Sequence, residues 1–204
     1  MKTTPGKIIY ETYQGYTLWK TRHGPDLGSY EKIVKAVIER LEFMTDKHSR
    51  VLATHFTLTF PRQISCNEQD AIRRFIRDYR TVLYRCNFDP QFVWCIEKSP
   101  DLGLHLHFFL YLDGNLLKSS YNVWELACNV WSAKLNLPIY TGYVSYSRQT
   151  PHRMLERGAE DFQKEKSRII EWGSYLAKVQ TKHLDAYRRP CWDASEMKKK
   201  GSRK

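Results

Sequence analysis

Apolar residues recur along this chain in two rhythms. From Gly103 to Gly114 the run Leu104-His-Leu-His-Phe-Phe-Leu-Tyr-Leu112 reads as one β-strand closed by an Asp113-Gly114 turn. Side chains alternate faces in a strand, so Leu104, Leu106, Phe108 and Leu110 share one side and His105, His107, Phe109 and Tyr111 the other. Residues 91–97 divide into Phe92, Trp94 and Ile96 against Val93, Cys95 and Glu97. Residues 51–60 divide into Phe56, Leu58 and Phe60 against His55, Thr57 and Thr59, and 140–146 read as a further strand. Spacings of three and four mark helices over 67–86, 121–136 and 160–180. Another helix, capped by Ser29, is marked by Ile33, Val34, Val37, Ile38, Leu41 and Met44. Pro151 is expected to open a turn or helix before the last helix.

The core order is strand, helix, strand, strand, helix, strand, followed by a helix. That is the split β-α-β pattern of ferredoxin-like and RRM-like folds. The expected class is α+β: an antiparallel sheet with helices on one face, and the polar faces of three strands forming an open platform on the other. Residues 1–50 are expected to be an N-terminal arm and helix, 51–190 the main domain, and 191–204 a basic flexible tail too poor in apolar residues to pack.

Charge narrows the partner. The 204-residue chain carries 33 Lys and Arg against 22 Asp and Glu, a formal charge of +11, which points to a polyanion. Thirteen Tyr, six Trp and nine Phe are interleaved with these cations, as stacking on unpaired bases requires. No run approaches the roughly 20 apolar residues of a membrane span, and the first residues lack the apolar core of a signal peptide. Five cysteines, odd in number and without a Cys-x-x-Cys spacing, read as reduced thiols of a cytoplasmic protein.

The chemistry gathers on one strand pair. The short Lys98–Leu102 connection predicts a hairpin, which sets Glu97 beside His105 and His107. One carboxylate and two imidazoles suit Mg²⁺, Mn²⁺ or a later transition metal, with positions left for a substrate oxygen. In the final helix, Arg168, Glu171, Tyr175, Lys178 and Lys182 share the polar side, opposite Ile169, Trp172, Leu176 and Val179. A phenol is a weak nucleophile at neutral pH, so Tyr175 needs an electrophile activated for it and a cation such as Lys178 beside it.

Taken together, these motifs resemble the HUH endonucleases. His105-Leu106-His107 matches the motif that gives the superfamily its name. Glu97 is similar to the carboxylate ligand of viral replication initiators, Phe56-Thr-Leu-Thr-Phe60 to their hydrophobic-threonine motif, and Tyr175-Leu-Ala-Lys178 to their nucleophile motif. The resemblance spans roughly residues 51–182 and is nearest to the single-tyrosine initiators of filamentous phages and prophages. It implies a replication initiator that nicks and joins single-stranded DNA at an origin or hairpin, with Mg²⁺ or Mn²⁺, through a 5′-phosphotyrosine. Tyr175 and Lys178 would be catalytic, and His105, His107 and Glu97 the metal ligands. Thr57, Thr59, Phe109, Tyr111 and Lys182 are expected to contact DNA. No Walker motif is present, so a host helicase is the expected partner in a bacterial cytoplasm. A non-catalytic single-strand-binding module, a water-using metal hydrolase, or a transposase or relaxase of the same superfamily are the alternatives.

Overall fold

The structure, a computed structural model, describes residues 7–21, 26–61, 67–139, 142–147, 149–180 and 191–197. It is a mixed α+β protein with a six-stranded antiparallel sheet and four helices. The sheet strands are β1 (Arg50–Thr59), β2 (Gln91–Ser99), β3 (Gly103–Asp113), β4 (Val144–Tyr146), β5 (His152–Glu156) and β6 (Trp192–Ala194). The helices are α1 (Glu31–Lys47), α2 (Glu68–Arg85), α3 (Tyr121–Leu135) and α4 (Phe162–Ser174). Strand order across the sheet is β6-β2-β3-β1-β4, with β5 pairing on the same side of β1 as β4.

Because β1 and β2 both run antiparallel to β3, they are parallel to each other, and α2 is the crossover between them. Helix α3 likewise crosses from β3 to β4. Asn67 caps α2, its side chain accepting the Asp70 N–H at 3.2 Å. Both crossovers lie on the face formed by Phe56, Leu58, Trp94, Ile96, Leu106 and Phe108, where Phe75 and Tyr79 of α2 and Trp131 of α3 close the core. Each such side chain contributes about 1.5–3 kcal/mol on leaving water. The polar tips of this core are satisfied: Tyr79 donates to the Val123 carbonyl at 2.8 Å and Trp131 to that of Thr59 at 3.0 Å.

The expectation of helices on one face is overturned. Helices α1 and α4 cover the opposite face, packing on Val51, Ala53, Val93, Cys95, Phe109 and Tyr111. That face is polar only at one end, and its other half is an apolar strip that needs a cover. Phe109 and Tyr111 are fully buried, so they cannot stack on bases, and the Tyr111 hydroxyl donates instead to the Val37 carbonyl at 3.1 Å. Helices α1 and α4 approach so closely that a Cβ on Gly173 would lie 2.7 Å from Val37 Cγ1. Helix α1 therefore packs directly on the sheet.

Four local expectations also change. Ser29 does not cap α1; Tyr30 holds that position, while Ser29 pairs with Ile9 and bridges to Lys178. The Pro151 segment leads into strand β5, because Met154 and Leu155 can extend the sheet along β1. The last helix stops at Ser174 and tightens to a 3₁₀ turn over Tyr175–Ala177. Residues 192–194 form β6 on the edge of β2, so the expected tail is structured as far as residue 197. Beyond β6, buried Ser195 donates to Gln91 Oε1 at 2.7 Å and accepts the Phe92 N–H at 2.9 Å. Lys182, Cys66, Tyr140 and residues 198–204 lie outside the described residues.

Ser195→Ala leaves a buried amide and the Phe92 N–H without this hydroxyl. The expected loss is about 1–3 kcal/mol in urea unfolding at constant m-value; an unchanged midpoint would show that β6 adds nothing to the fold.

Candidate metal and nucleophile site

The site begins with hairpin register. Gly103 supplies the positive φ of +65° that turns β2 into β3. From there Glu97 pairs with His105 and Cys95 with His107, while across β3 Thr57 of β1 pairs with His107 and Thr59 with His105. Paired residues point to one face, so the trio expected from alternation converges. Glu97 Oε2 lies 3.8 Å from His105 Nε2 and 3.6 Å from His107 Nε2. Glu97 is completely buried and each histidine is 4% exposed.

The outer nitrogens are already engaged. His105 Nδ1 lies 3.1 Å from the Gly103 carbonyl, which can only accept, so this nitrogen donates there and Nε2 is the one turned toward Glu97. His107 Nδ1 has Thr57 Oγ1 and His55 Nε2 each at 3.1 Å. Its Nε2 is buried without a hydrogen-bond partner. An unpartnered buried imidazole nitrogen beside a carboxylate and a second imidazole is a donor set for a divalent ion; the three ligand atoms lie within 4.8 Å of one another. The residues therefore fit the expected metal. Thr57, expected to contact DNA, lies on this face with its hydroxyl against His107 Nδ1. Thr59 is half-buried on the same face beside His105.

Tyr175 and Lys178 arrive from the far end of the chain. The Tyr175 ring stands edge-on to His107 with centroids 5.1 Å apart, and it is half-buried. Lys178 Nζ lies 3.7 Å from the centre of that ring and 3.0 Å from Glu97 Oε2. These positions do not come from one continuous helix. After the 3₁₀ turn the chain becomes extended at Lys178, bridges to Ser29, and donates the Val179 N–H to the Gly28 carbonyl at 3.0 Å. Gly28 is needed there: its φ is +78°, and a Cβ would lie 2.6 Å from Ile8 Cγ2 and 2.7 Å from the Ile9 carbonyl oxygen.

Three neighbours escaped the sequence reading as members of the site. The His55 ring stacks on His107 at 5.2 Å and lies 5.9 Å from Tyr175; its place on the Thr57 face of β1 was the available signal. Cys95 Sγ is 3.7 Å from Glu97 Oε1 and 3.5 Å from the Leu176 carbonyl, tying β2 to the 3₁₀ turn. Trp19 packs edge-on to Tyr175 at 4.9 Å, its backbone N–H donating to Ser174 Oγ at 2.7 Å, and nothing in its sequence context marks it.

Burial governs the protons. Desolvation lowers the His107 pKa to about 4, opposed by Glu97, and holds His55 well below its usual range, helped by the charges of His107 and Lys178. Lys178 supplies the counter-charge of Glu97 in a nearly dry environment, where a lone carboxylate would be strongly unfavourable.

Two outcomes follow for the metal-free chain. Both imidazoles bind protons less readily folded than unfolded, so stability is full above about pH 6.5 and falls as pH drops toward about 4. Thermal midpoints across this window in chelator measure it; a flat profile would contradict the burial of these rings. Lys178→Met should cost roughly 3 kcal/mol in chelator, because Glu97 loses its partner. Mn²⁺ should restore most of that loss, and an equal loss with and without Mn²⁺ would mean the ion does not use this carboxylate.

The model of the YagK/YfjJ C-terminal domain family covers residues 10–191. No curated protein and no solved structure matches the chain.

Proposed function

The chain belongs to the YagK/YfjJ C-terminal domain family, and from the geometry of its site we propose that it is a metal-assisted nicking and joining enzyme for single-stranded DNA with Tyr175 as nucleophile. The observation that carries this reading is the convergence of Tyr175 and Lys178 on His107 and Glu97 from an element some 70 residues later in the chain.

The sheet supports the same assignment. Its central order, β4-β1-β3-β2 with α2 and α3 as crossovers on one face, supports reading the core as ferredoxin-like, the arrangement expected of an HUH enzyme. Helices α1 and α4 and strand β6 are then additions to that core. The reading as a non-catalytic stacking platform loses its support because Phe109 and Tyr111 are covered.

His105, His107 and Glu97 would hold Mg²⁺ or Mn²⁺, which supplies charge neutralisation at a scissile phosphate. The protein's own residues do the rest. Thr57 and the Gly103 carbonyl hold the two imidazoles in the orientation that leaves their Nε2 atoms facing Glu97. Lys178, over the Tyr175 ring, favours the phenolate. Tyr175 Oη attacks phosphorus, its bond to the 3′-oxygen breaks, and the phenolic proton is lost as the leaving oxygen gains one. One phosphate ester replaces another, so the freed 3′-hydroxyl can reverse the step or prime synthesis. On this basis we assign the chain to replication initiation at an origin, with an unpaired or hairpin DNA substrate and a helicase supplied by the bacterial host. No helix among the described residues is long and apolar enough to cross a membrane.

Denaturing electrophoresis with labelled single strands from the flanks of its own gene tests the reaction. A Mn²⁺-dependent protein–DNA adduct is expected for the wild type and absent for Tyr175→Phe and in excess chelator. Cleavage retained by Tyr175→Phe would replace the tyrosine with water as nucleophile.

A further inference from the structure

On the opposite face of the sheet, away from Tyr175, lies a groove of about 780 Å³ between α2 and the β2–β6 edge. Its helix wall is formed by Arg73, Arg77, Arg80 and Arg85, and its floor by Ile76 and the rims of Phe92 and Trp94. Arg73, Arg77, Arg80 and Tyr84 follow one another at spacings of four, three and four, so they form one stripe about 16 Å long along the helix. Tyr84 is 41% exposed, and the Arg80 guanidinium lies 5.5 Å from its ring centre. Asp193 and Glu196 stand on the far rim, so the groove is cationic on the helix side alone. Beyond Met197 the sequence adds Lys198, Lys199, Lys200, Arg203 and Lys204.

We propose that this groove is a second binding site for single-stranded DNA, separate from the Tyr175 site. The arginine stripe meets the phosphates, and Tyr84 with the apolar floor meets sugars and bases. Tyr84 distinguishes single strands from duplex, because a duplex keeps its base faces stacked inside and would offer this exposed ring only outward-turned phosphates. An acidic peptide could meet the arginines but has no flat π-face for Tyr84. The function of such a groove is to retain one arm of the strand while the other lies at the nucleophile on the reverse of the sheet. The proposal takes from the proposed function only that the polyanion is DNA.

The test is fluorescence anisotropy of a labelled oligo-dT 20-mer with the full chain in chelator, so that no cleavage intervenes. Arg77→Glu with Arg80→Glu should weaken binding about tenfold or more and flatten the logarithmic salt dependence by about 0.7 for each phosphate no longer neutralised. Tyr84→Ala should weaken it about fivefold with the salt slope retained. Arg77, Arg80 and Tyr84 are exposed and Arg77 gives up only a surface ion pair with Asp78, so thermal midpoints should fall little; if the double reversal unfolds, Arg77→Gln with Arg80→Gln replaces it. Wild-type affinity in the arginine variants overturns the groove, and equal binding of duplex or equal competition by poly-glutamate overturns its assignment to single strands. Adduct formation is scored separately. Loss of binding in the groove variants with no adduct from any protein refutes the nicking reading and leaves the groove, whereas adducts with unaltered binding do the reverse.

Discussion

A carboxylate with no access to water is the constraint on which this site depends. Glu97 lies near the hairpin-turn end of a sheet face, and each group near it answers to its charge: two imidazoles from the neighbouring strand and an ammonium from a distant turn. Desolvation magnifies every one of these interactions, so small displacements carry large energies. The surrounding structure therefore fixes positions tightly, through Thr57 on His107, the Gly103 carbonyl on His105, and the Ser29 bridge behind Lys178.

The sheet face that holds this centre is divided. Near the hairpin turn it carries Glu97, His105 and His107; toward the other end it carries Val93, Phe109 and Tyr111. Helices α1 and α4 bury the apolar half, and the chain leaving α4 passes over the polar half with Tyr175 and Lys178. The same packing that satisfies the hydrophobic strip thus delivers the nucleophile candidate to the trio.

Strand alternation made the trio legible, because register in a two-residue repeat leaves Glu97, His105 and His107 no other common face. The helices were equally legible from their spacing. Which face α1 and α4 cover was not, since periodicity says that a helix has an apolar side but not what meets it. Val93, Phe109 and Tyr111 were the available hint, as three large side chains on a supposedly open face. The end of α4 was misjudged because Leu176 and Val179 continue the helical rhythm, while a long-range bridge to Ser29 and an ion pair to Glu97 draw the chain out of it. Strand β6 escaped because it is only three residues long, and its hold through backbone pairing, Ser195 and the packing of Cys191 and Trp192 is too short to show a hydrophobic period.

The bridge between Ser29 and Lys178 also orders events in time. Some 150 residues separate the two strands that meet there, and the carboxylate's counter-charge sits on the later one. A chain emerging from the ribosome forms the β2–β3 hairpin, and with it the histidine pair, long before Lys178 is made. Closing such a distant pairing is slow and comes near the end of folding. The half-synthesised protein can therefore display the Glu97, His105 and His107 trio without Tyr175 and Lys178, and the proposed chemistry stays silent until the chain that completes it has folded.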